Sequence, residues 1–170
     1  MDFLQLAKDR YSCKSFSGEA LEKEKLDKIL EAGNLAPTAK NLQGQRIYVV
    51  QSEEGLAKID ELTPCRYDAS TVLMVAINTE ETFTYPGDKY DSGLEDISIV
   101  ASHMVLAAAS MGVDSCWVNF FDPDKARDIF DLPENEIPYI LIDLGYSKEG
   151  TEPKANHFSR KDLEETVKYI

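Results

Sequence analysis

The spacing of apolar residues along the chain predicts a series of amphipathic helices. One set recurs at the intervals of a single helix face: Leu26, Ile29, Leu30 and Gly33. This set predicts a helix over about residues 22–35, after which Pro37 forces a loop. The same pattern predicts helices over residues 2–9, 53–62, 93–111 and 123–130, the last with Asp122 as its N-cap.

Short apolar runs between these helices predict strands. They cover residues 47–50, 72–77, 115–118 and 139–144. The first two runs are apolar at every position, so we expect a central sheet that helices cover on both faces. The helix over 93–111 is apolar almost all round, which indicates that it is buried or lies in a subunit interface.

Composition narrows the class of protein. The 170 residues predict one domain spanning 1–170, and 43% hydrophobic and 29% charged residues are ordinary for a globular protein. A formal net charge of −13 argues against nucleic acid as a partner. No apolar run approaches the roughly 20 residues that a membrane span needs. Three widely separated cysteines and two histidines predict no metal site and a reducing, cytoplasmic location.

A cationic cluster lies near the start of this acidic chain. Arg10, Ser12 and Lys14 combine a planar fork of donors, a hydroxyl donor and a compact point charge, which suits a bound oxyanion. The alternative is a helix end that carries surface salt bridges. The glycine-rich phosphate loops of nucleotide-binding folds are absent from the sequence. A nucleotide-like ligand would therefore be held by side chains on helix ends and loops.

Five segments in order carry a family resemblance. They are RYSCKSF (residues 10–16), APTAKNLQ (36–43), MGVDSCWVN (111–119), ILIDLGY (140–146) and FSRKDLEETV (158–167). Across nearly its whole length the chain resembles the FMN-dependent nitroreductase family. The resemblance implies an α+β, three-layer fold with a central mixed or antiparallel sheet flanked by helices. It also implies a homodimer with FMN at the interface and a C-terminal tail docked on the partner.

The resemblance further implies an enzyme in which FMN takes hydride at N5 from NADH or NADPH. The electrons then pass to a nitroaromatic, quinone or similar electron-poor acceptor in a ping-pong cycle, and the chemistry belongs to the cofactor. One alternative is a protein that binds or processes flavin without general reductase turnover. The other is an acidic interaction domain with no cofactor.

Site residues follow from the same resemblance. It implies that Arg10 and Arg160 hold the FMN phosphate, that Tyr11 and Ser12 line the ribityl chain, and that Lys14 lies by the pyrimidine edge and tunes the flavin. The loop contributed by the partner would present Pro37, Thr38, Ala39 and Asn41, and the isoalloxazine would lie beside Asn119 and Phe120.

The chain departs from the family pattern at three places. Gly44, Gln45 and Arg46 stand where Pro-Trp is common, and residues 80–92 are short for a lid over the flavin. Phe158 stands where a second basic residue often precedes the tail arginine, so Lys161 or Arg66 would have to replace it. We expect Cys13 and Cys116 to be small buried residues rather than nucleophiles.

Overall fold

A single antiparallel sheet forms the centre of the molecule in the computed structural model, which describes residues 2–170. Its strands are β1 (Gln45–Val50), β2 (Thr71–Asn78), β3 (Asp114–Val118) and β4 (Glu136–Gly145), and they lie in the order β1-β2-β4-β3. Each neighbouring pair is antiparallel. The predicted strands are confirmed, and each extends beyond its predicted bounds.

Helices precede, connect and follow the strands. They are α1 (Phe3–Asp9), α2 (Lys23–Asn34), α3 (Glu53–Leu62), α4 (Gly93–Ser110), α5 (Pro123–Phe130) and α6 (Leu163–Thr166), with 3-10 turns at Ala39–Asn41 and Ala155–Phe158. The five predicted helices are confirmed. Asp122 caps α5 as predicted, since its carboxylate accepts hydrogen bonds from the backbone N–H groups of Asp124 and Lys125.

Two hydrophobic cores, one on each face of the sheet, make the fold three-layered. Along β4, Ile140 and Ile142 belong to the core that also contains the buried side chains of α2 and α4. Leu141 points the other way, into the core that contains Ile59 of α3 and Ala126 of α5. This alternation follows from the two-residue period of a strand. The α+β prediction with helices on both faces is therefore confirmed.

An extended segment, residues 10–16, runs along the free edge of β3. Cys13 N–H donates to the Ser115 carbonyl at 2.9 Å, and Ser12 and Ser115 form a parallel bridge. Cys13 is fully buried, whereas Ser12 and Lys14 on either side of it are exposed. The edge of the sheet therefore presents Ser12 and Lys14, two of the three predicted oxyanion-binding residues, to solvent.

Among residues 2–170, no helix combines the length and the apolar character that a bilayer crossing requires.

Candidate functional site

A cavity of about 240 Å³ opens beside the extended segment. Three elements supply its walls: the segment itself, β3 and the 3-10 turn of the tail. The lining residues are Tyr11, Ser12, Lys14, Cys116, Trp117, Lys154, Asn156 and His157. The structure thus brings together three of the predicted site residues, Tyr11, Ser12 and Lys14.

Residues 154–157 of the C-terminal tail form one side of this cavity within the same protomer. His157 Nε2 donates to the Lys8 carbonyl at 3.0 Å, which ties the 3-10 turn to the end of α1. The His157 ring also meets the Tyr11 ring edge-on, with the ring centroids 6.5 Å apart. These contacts hold Lys154 and Asn156 over the cavity. Residues 159–170 are exposed, and their predicted docking on a partner stays a prediction.

Lys14 and Lys154 line both this cavity and a second one. The second cavity, of about 230 Å³, also has Ser12, Lys14 and Lys154 in its wall. Within residues 2–170, neither ammonium group lies within salt-bridge distance of a carboxylate, although the chain carries a net charge of −13. Glu152 also lines the second cavity, and the Lys14 ammonium lies 5.9 Å from the centre of the Tyr67 ring. Two cations that line the same cavity without an ion-pair partner in the described chain favour an anionic ligand.

The thiols and the phenol near the cavity keep their protons at neutral pH. Burial raises the pKa of the Cys116 thiol to about 12, and burial also raises the pKa of Cys13. Burial is likewise the main cause that raises the pKa of Tyr11 to about 12. A protonated thiol is a poor nucleophile, so the chemistry of these side chains suits binding a ligand better than attacking it.

The predicted phosphate ligands lie outside the 240 Å³ cavity in the protomer. Arg10 lines a neighbouring cavity of about 170 Å³ between α1 and the end of α4. Arg160 is exposed, and its Nη1 donates to the carbonyls of His157 and Ser159. Lys161 is exposed as well. One protomer does not bring Arg10 and Arg160 around the 240 Å³ cavity, so their convergence stays a prediction about the assembly.

Asn119 connects the cavity wall to the sheet. Its Oδ1 accepts a hydrogen bond from the Trp117 indole at 2.5 Å, and its Nδ2 donates to the Tyr139 carbonyl at 2.6 Å. The side chain therefore fixes the indole that lines the cavity. Phe120, the next residue, is 73% exposed, a large apolar surface at the end of β3.

The loop of residues 37–43 lies apart from the extended segment. Ala39 N–H donates to the Asp96 carboxylate at 2.7 Å, which attaches the loop to the first turns of α4. Within residues 2–170, no hydrogen bond joins this loop to residues 10–14, and none of its residues lines the 240 Å³ cavity. In one protomer, the loop is thus separate from the predicted site residues that line the 240 Å³ cavity.

Sequence reasoning missed Lys154 and Asn156. Both lie in a polar stretch just before the family-like segment that starts at Phe158, and no periodicity marks them. Their place over the cavity depends on the tail folding back onto α1, which a local pattern does not reveal. Among residues 2–170, no cluster of His, Cys, Asp and Glu side chains is arranged to hold a metal ion.

Comparison with known proteins identifies the family. The model of the nitroreductase family matches residues 7–67 and 64–146. The chain belongs to the nitroreductase family. A nitroreductase family protein from Clostridium difficile 630 has a crystal structure that superposes with a TM-score of 0.93, at 38% identity over 99% of this chain and 98% of that one.

Two further nitroreductase relatives are informative. A candidate NADH dehydrogenase/NAD(P)H nitroreductase from Methanothermobacter thermautotrophicus is 30% identical, over 88% of this chain and 79% of that protein. A candidate nitroreductase from Exiguobacterium sibiricum, solved in complex with FMN, superposes with a TM-score of 0.85 at 20% identity, covering 100% of this chain and 98% of that one. The second likeness shows that the fold is shared.

Proposed function

We propose that this nitroreductase family member is an FMN-dependent oxidoreductase. It takes hydride from NADH or NADPH at flavin N5 and reduces a nitroaromatic, a quinone or a similar electron-poor acceptor. The observation that carries the proposal is the cavity beside residues 10–14, where Lys14 and Lys154 lack carboxylate partners within residues 2–170 of an acidic chain. The name of the Methanothermobacter relative and the FMN complex of the Exiguobacterium protein support it.

The side chains at this edge of the sheet fit the chemistry of FMN. A phosphate dianion needs cationic donors such as the Arg10 guanidinium, and Lys154 and Ser12 add an ammonium group and a hydroxyl. Bound FMN would supply the hydride chemistry, and the protein would supply orientation and charge. The Lys14 ammonium would stabilise the negative charge that reduction places on the pyrimidine ring. The Asn119–Trp117 hydrogen bond would keep the indole wall in place.

The cavity volumes support a site shared between two subunits. Cavities of about 240 and 230 Å³ are each smaller than the roughly 300 Å³ at which small-molecule sites begin. The separate loop of residues 37–43 would supply the missing wall from the partner, and two protomers would hold two such sites. The three cysteines are free thiols, which supports the proposed cytoplasmic location.

We expect the protein to be a dimer in solution, with twice the 19.1 kDa mass of one chain. Large apolar side chains are exposed on the elements that such an interface would use: Leu94 56%, Phe120 73%, Phe158 73% and Leu163 76%. Light scattering coupled to gel filtration measures the mass. A monomer that carries one FMN per chain would contradict the shared site.

A visible spectrum tests the function directly. The purified protein is expected to be yellow, or to become yellow with added FMN, and NADH or NADPH is expected to bleach it under nitrogen. Adding a quinone should restore the colour, because the reduced flavin passes its electrons on. A yellow protein that neither nucleotide bleaches would indicate a flavin-binding protein without turnover, and a protein that ignores FMN would indicate an interaction domain.

A further inference from the structure

The loop of residues 37–43 holds a strained backbone. Lys40, Asn41 and Gln43 have φ values of +50°, +56° and +54°, and none of them is glycine. Side chains disfavour this left-handed conformation, so it persists only where the surroundings fix it. Inside the loop, Thr38 Oγ1 accepts a hydrogen bond from Gln43 N–H at 3.0 Å, which closes the turn.

Asp96 attaches this strained loop to the body of the protein. It is 2% exposed, and its Oδ1 accepts the Ala39 N–H at 2.7 Å, from a residue 57 positions earlier in the chain. Its Oδ2 accepts the hydroxyl of Ser92 at 2.7 Å, and Ser92 is itself 1% exposed. Ser92 Oγ in turn accepts the Phe83 N–H at 3.0 Å. One buried carboxylate thus links the loop, the start of α4 and residues 80–92.

This arrangement differs from ordinary helix capping. A capping carboxylate accepts hydrogen bonds from N–H groups at the start of its own helix. One oxygen of Asp96 instead accepts a hydrogen bond from the Ala39 N–H of a distant loop. Within residues 2–170 it forms no salt bridge, and its hydrogen-bond donors are the neutral Ala39 N–H and Ser92 hydroxyl. Directional hydrogen bonds therefore hold the Asp96 carboxylate, and no ion pair with a cation in the described part of the chain does.

We propose that Asp96 is a positioning residue that fixes the 37–43 loop in the conformation that contacts flavin in the partner subunit's site. The proposal rests on the proposed function and on the shared site. Asp96 itself does not touch the flavin. It acts through Ala39, whose N–H it orients, and through the backbone turn at Lys40 and Asn41 that follows.

Two substitutions of Asp96 distinguish the effect of its hydrogen bond to Ala39 from the effect of a negative charge. Asp96→Ala removes both acceptors and should raise the Kd for FMN about tenfold or more, since hydrogen bonds to a charged acceptor are among the strong ones. Asp96→Asn keeps an oxygen for Ala39 N–H and should restore most of the affinity. Both values come from titrating the FMN-free protein with FMN and following flavin fluorescence.

Asp122→Ala is the matched control. It removes a carboxylate that accepts two backbone N–H groups at the start of α5, away from the loop, and it should lower stability without changing FMN affinity. One outcome is that the two variants lose the same stability and also the same FMN affinity. Loss of stability alone would then explain the weaker FMN binding of Asp96→Ala, and the proposal would be overturned.

A hybrid dimer tests action across the interface. Differently tagged Arg10→Ala and Asp96→Ala chains are co-expressed and purified through both tags. If Asp96 serves the partner's site, one site of the hybrid has an intact Arg10 and an intact loop, so it should bind one FMN per dimer with wild-type affinity. If each chain used its own loop, both sites would be damaged, and no high-affinity FMN would bind.

Hydrogen exchange of the unsubstituted protein gives a readout that needs no variant. The Ala39 amide is expected to exchange slowly because Asp96 holds it, and it should exchange fast in Asp96→Ala. Fast exchange of Ala39 in the wild-type protein would overturn the proposal even if FMN binds. Wild-type protein that binds no FMN would instead overturn the proposed function. The exchange rate of the Ala39 amide would then still test whether Asp96 holds the loop.

Discussion

Replacing Arg10 by alanine is expected to give a colourless protein whose Kd for FMN is about 100-fold higher than that of the wild type. A guanidinium can donate two parallel hydrogen bonds to one phosphate, and each charged hydrogen bond contributes about 1.5 to 3 kcal/mol. Within residues 2–170, Arg10 forms no salt bridge, so its removal leaves no carboxylate without a partner. The fold should therefore survive, and circular dichroism should be unchanged.

Two variants make this measurement specific. Arg127→Ala removes an arginine that pairs with Asp124 on α5, and it should retain stoichiometric FMN. Arg10→Lys keeps the charge but loses the fork of donors, so its affinity should lie between those of the wild type and Arg10→Ala. Arg10→Ala that stays yellow with one FMN per chain would exclude Arg10 from the phosphate site.

The pattern of apolar residues predicted the four strands and the helices α1 to α5. The bounds of α3 and α5 are those predicted, because each helix begins at a capping side chain, Ser52 or Asp122. β1 begins at Gln45, two residues before its apolar run, since Gln45 and Arg46 pair with β2 through backbone groups that polar residues also carry. A pattern based on hydropathy does not detect strand ends that consist of polar residues.

The tail carries a local sequence signal for a short helix. Asp162 and Glu165 form a capping box at the start of α6, and their spacing of three is visible in the sequence. The contact of His157 with the Lys8 carbonyl is different, because it joins positions 149 apart and depends on how the whole chain folds. Sequence could therefore predict the short helix, but not the closing of the cavity by the tail.

The sequence predicted only some of the residues that line the candidate site, and it did not predict how they are arranged. The family-like segments select Ser12 and Lys14, yet only the structure shows that Lys154 lies with them. Asp96 is inconspicuous in the sequence, since an acidic residue in the first turns of a helix is ordinary. Asp143 is inconspicuous for a related reason. It is the one charged residue in the apolar run 139–144, and such a residue usually points to solvent.

Asp143 is in fact 1% exposed, and within residues 2–170 neither carboxylate oxygen has a hydrogen-bond partner. Burial raises the pKa of Asp143 to about 8, against a smaller lowering effect of the Arg66 guanidinium. That guanidinium is already held by Asp60, at 2.7 Å. The folded protein thus keeps a carboxylic acid protonated at a pH where the unfolded chain ionises it.

The stability of the protein should therefore fall as pH rises. Between the ordinary aspartate pKa of about 4 and the folded value of about 8, the folded state binds more protons than the unfolded state. The free energy of unfolding should then decrease by up to about 1.4 kcal/mol per pH unit across this window. Asp143→Asn removes the titrating group and should flatten the slope, so the variant gains about 2 to 4 kcal/mol relative to the wild type between pH 5 and pH 8.

Urea unfolding of FMN-free wild type and Asp143→Asn at pH 5, 6, 7 and 8 measures this difference. The slope is the informative quantity, because an unpartnered amide costs the same free energy at every pH, whereas ionisation of a buried acid does not. Asp68→Asn is the control: Lys148 lowers the pKa of the exposed Asp68, so that group is ionised in both states throughout the window. Equal slopes for wild type and Asp143→Asn would show that Asp143 ionises normally in the folded protein and would contradict the prediction.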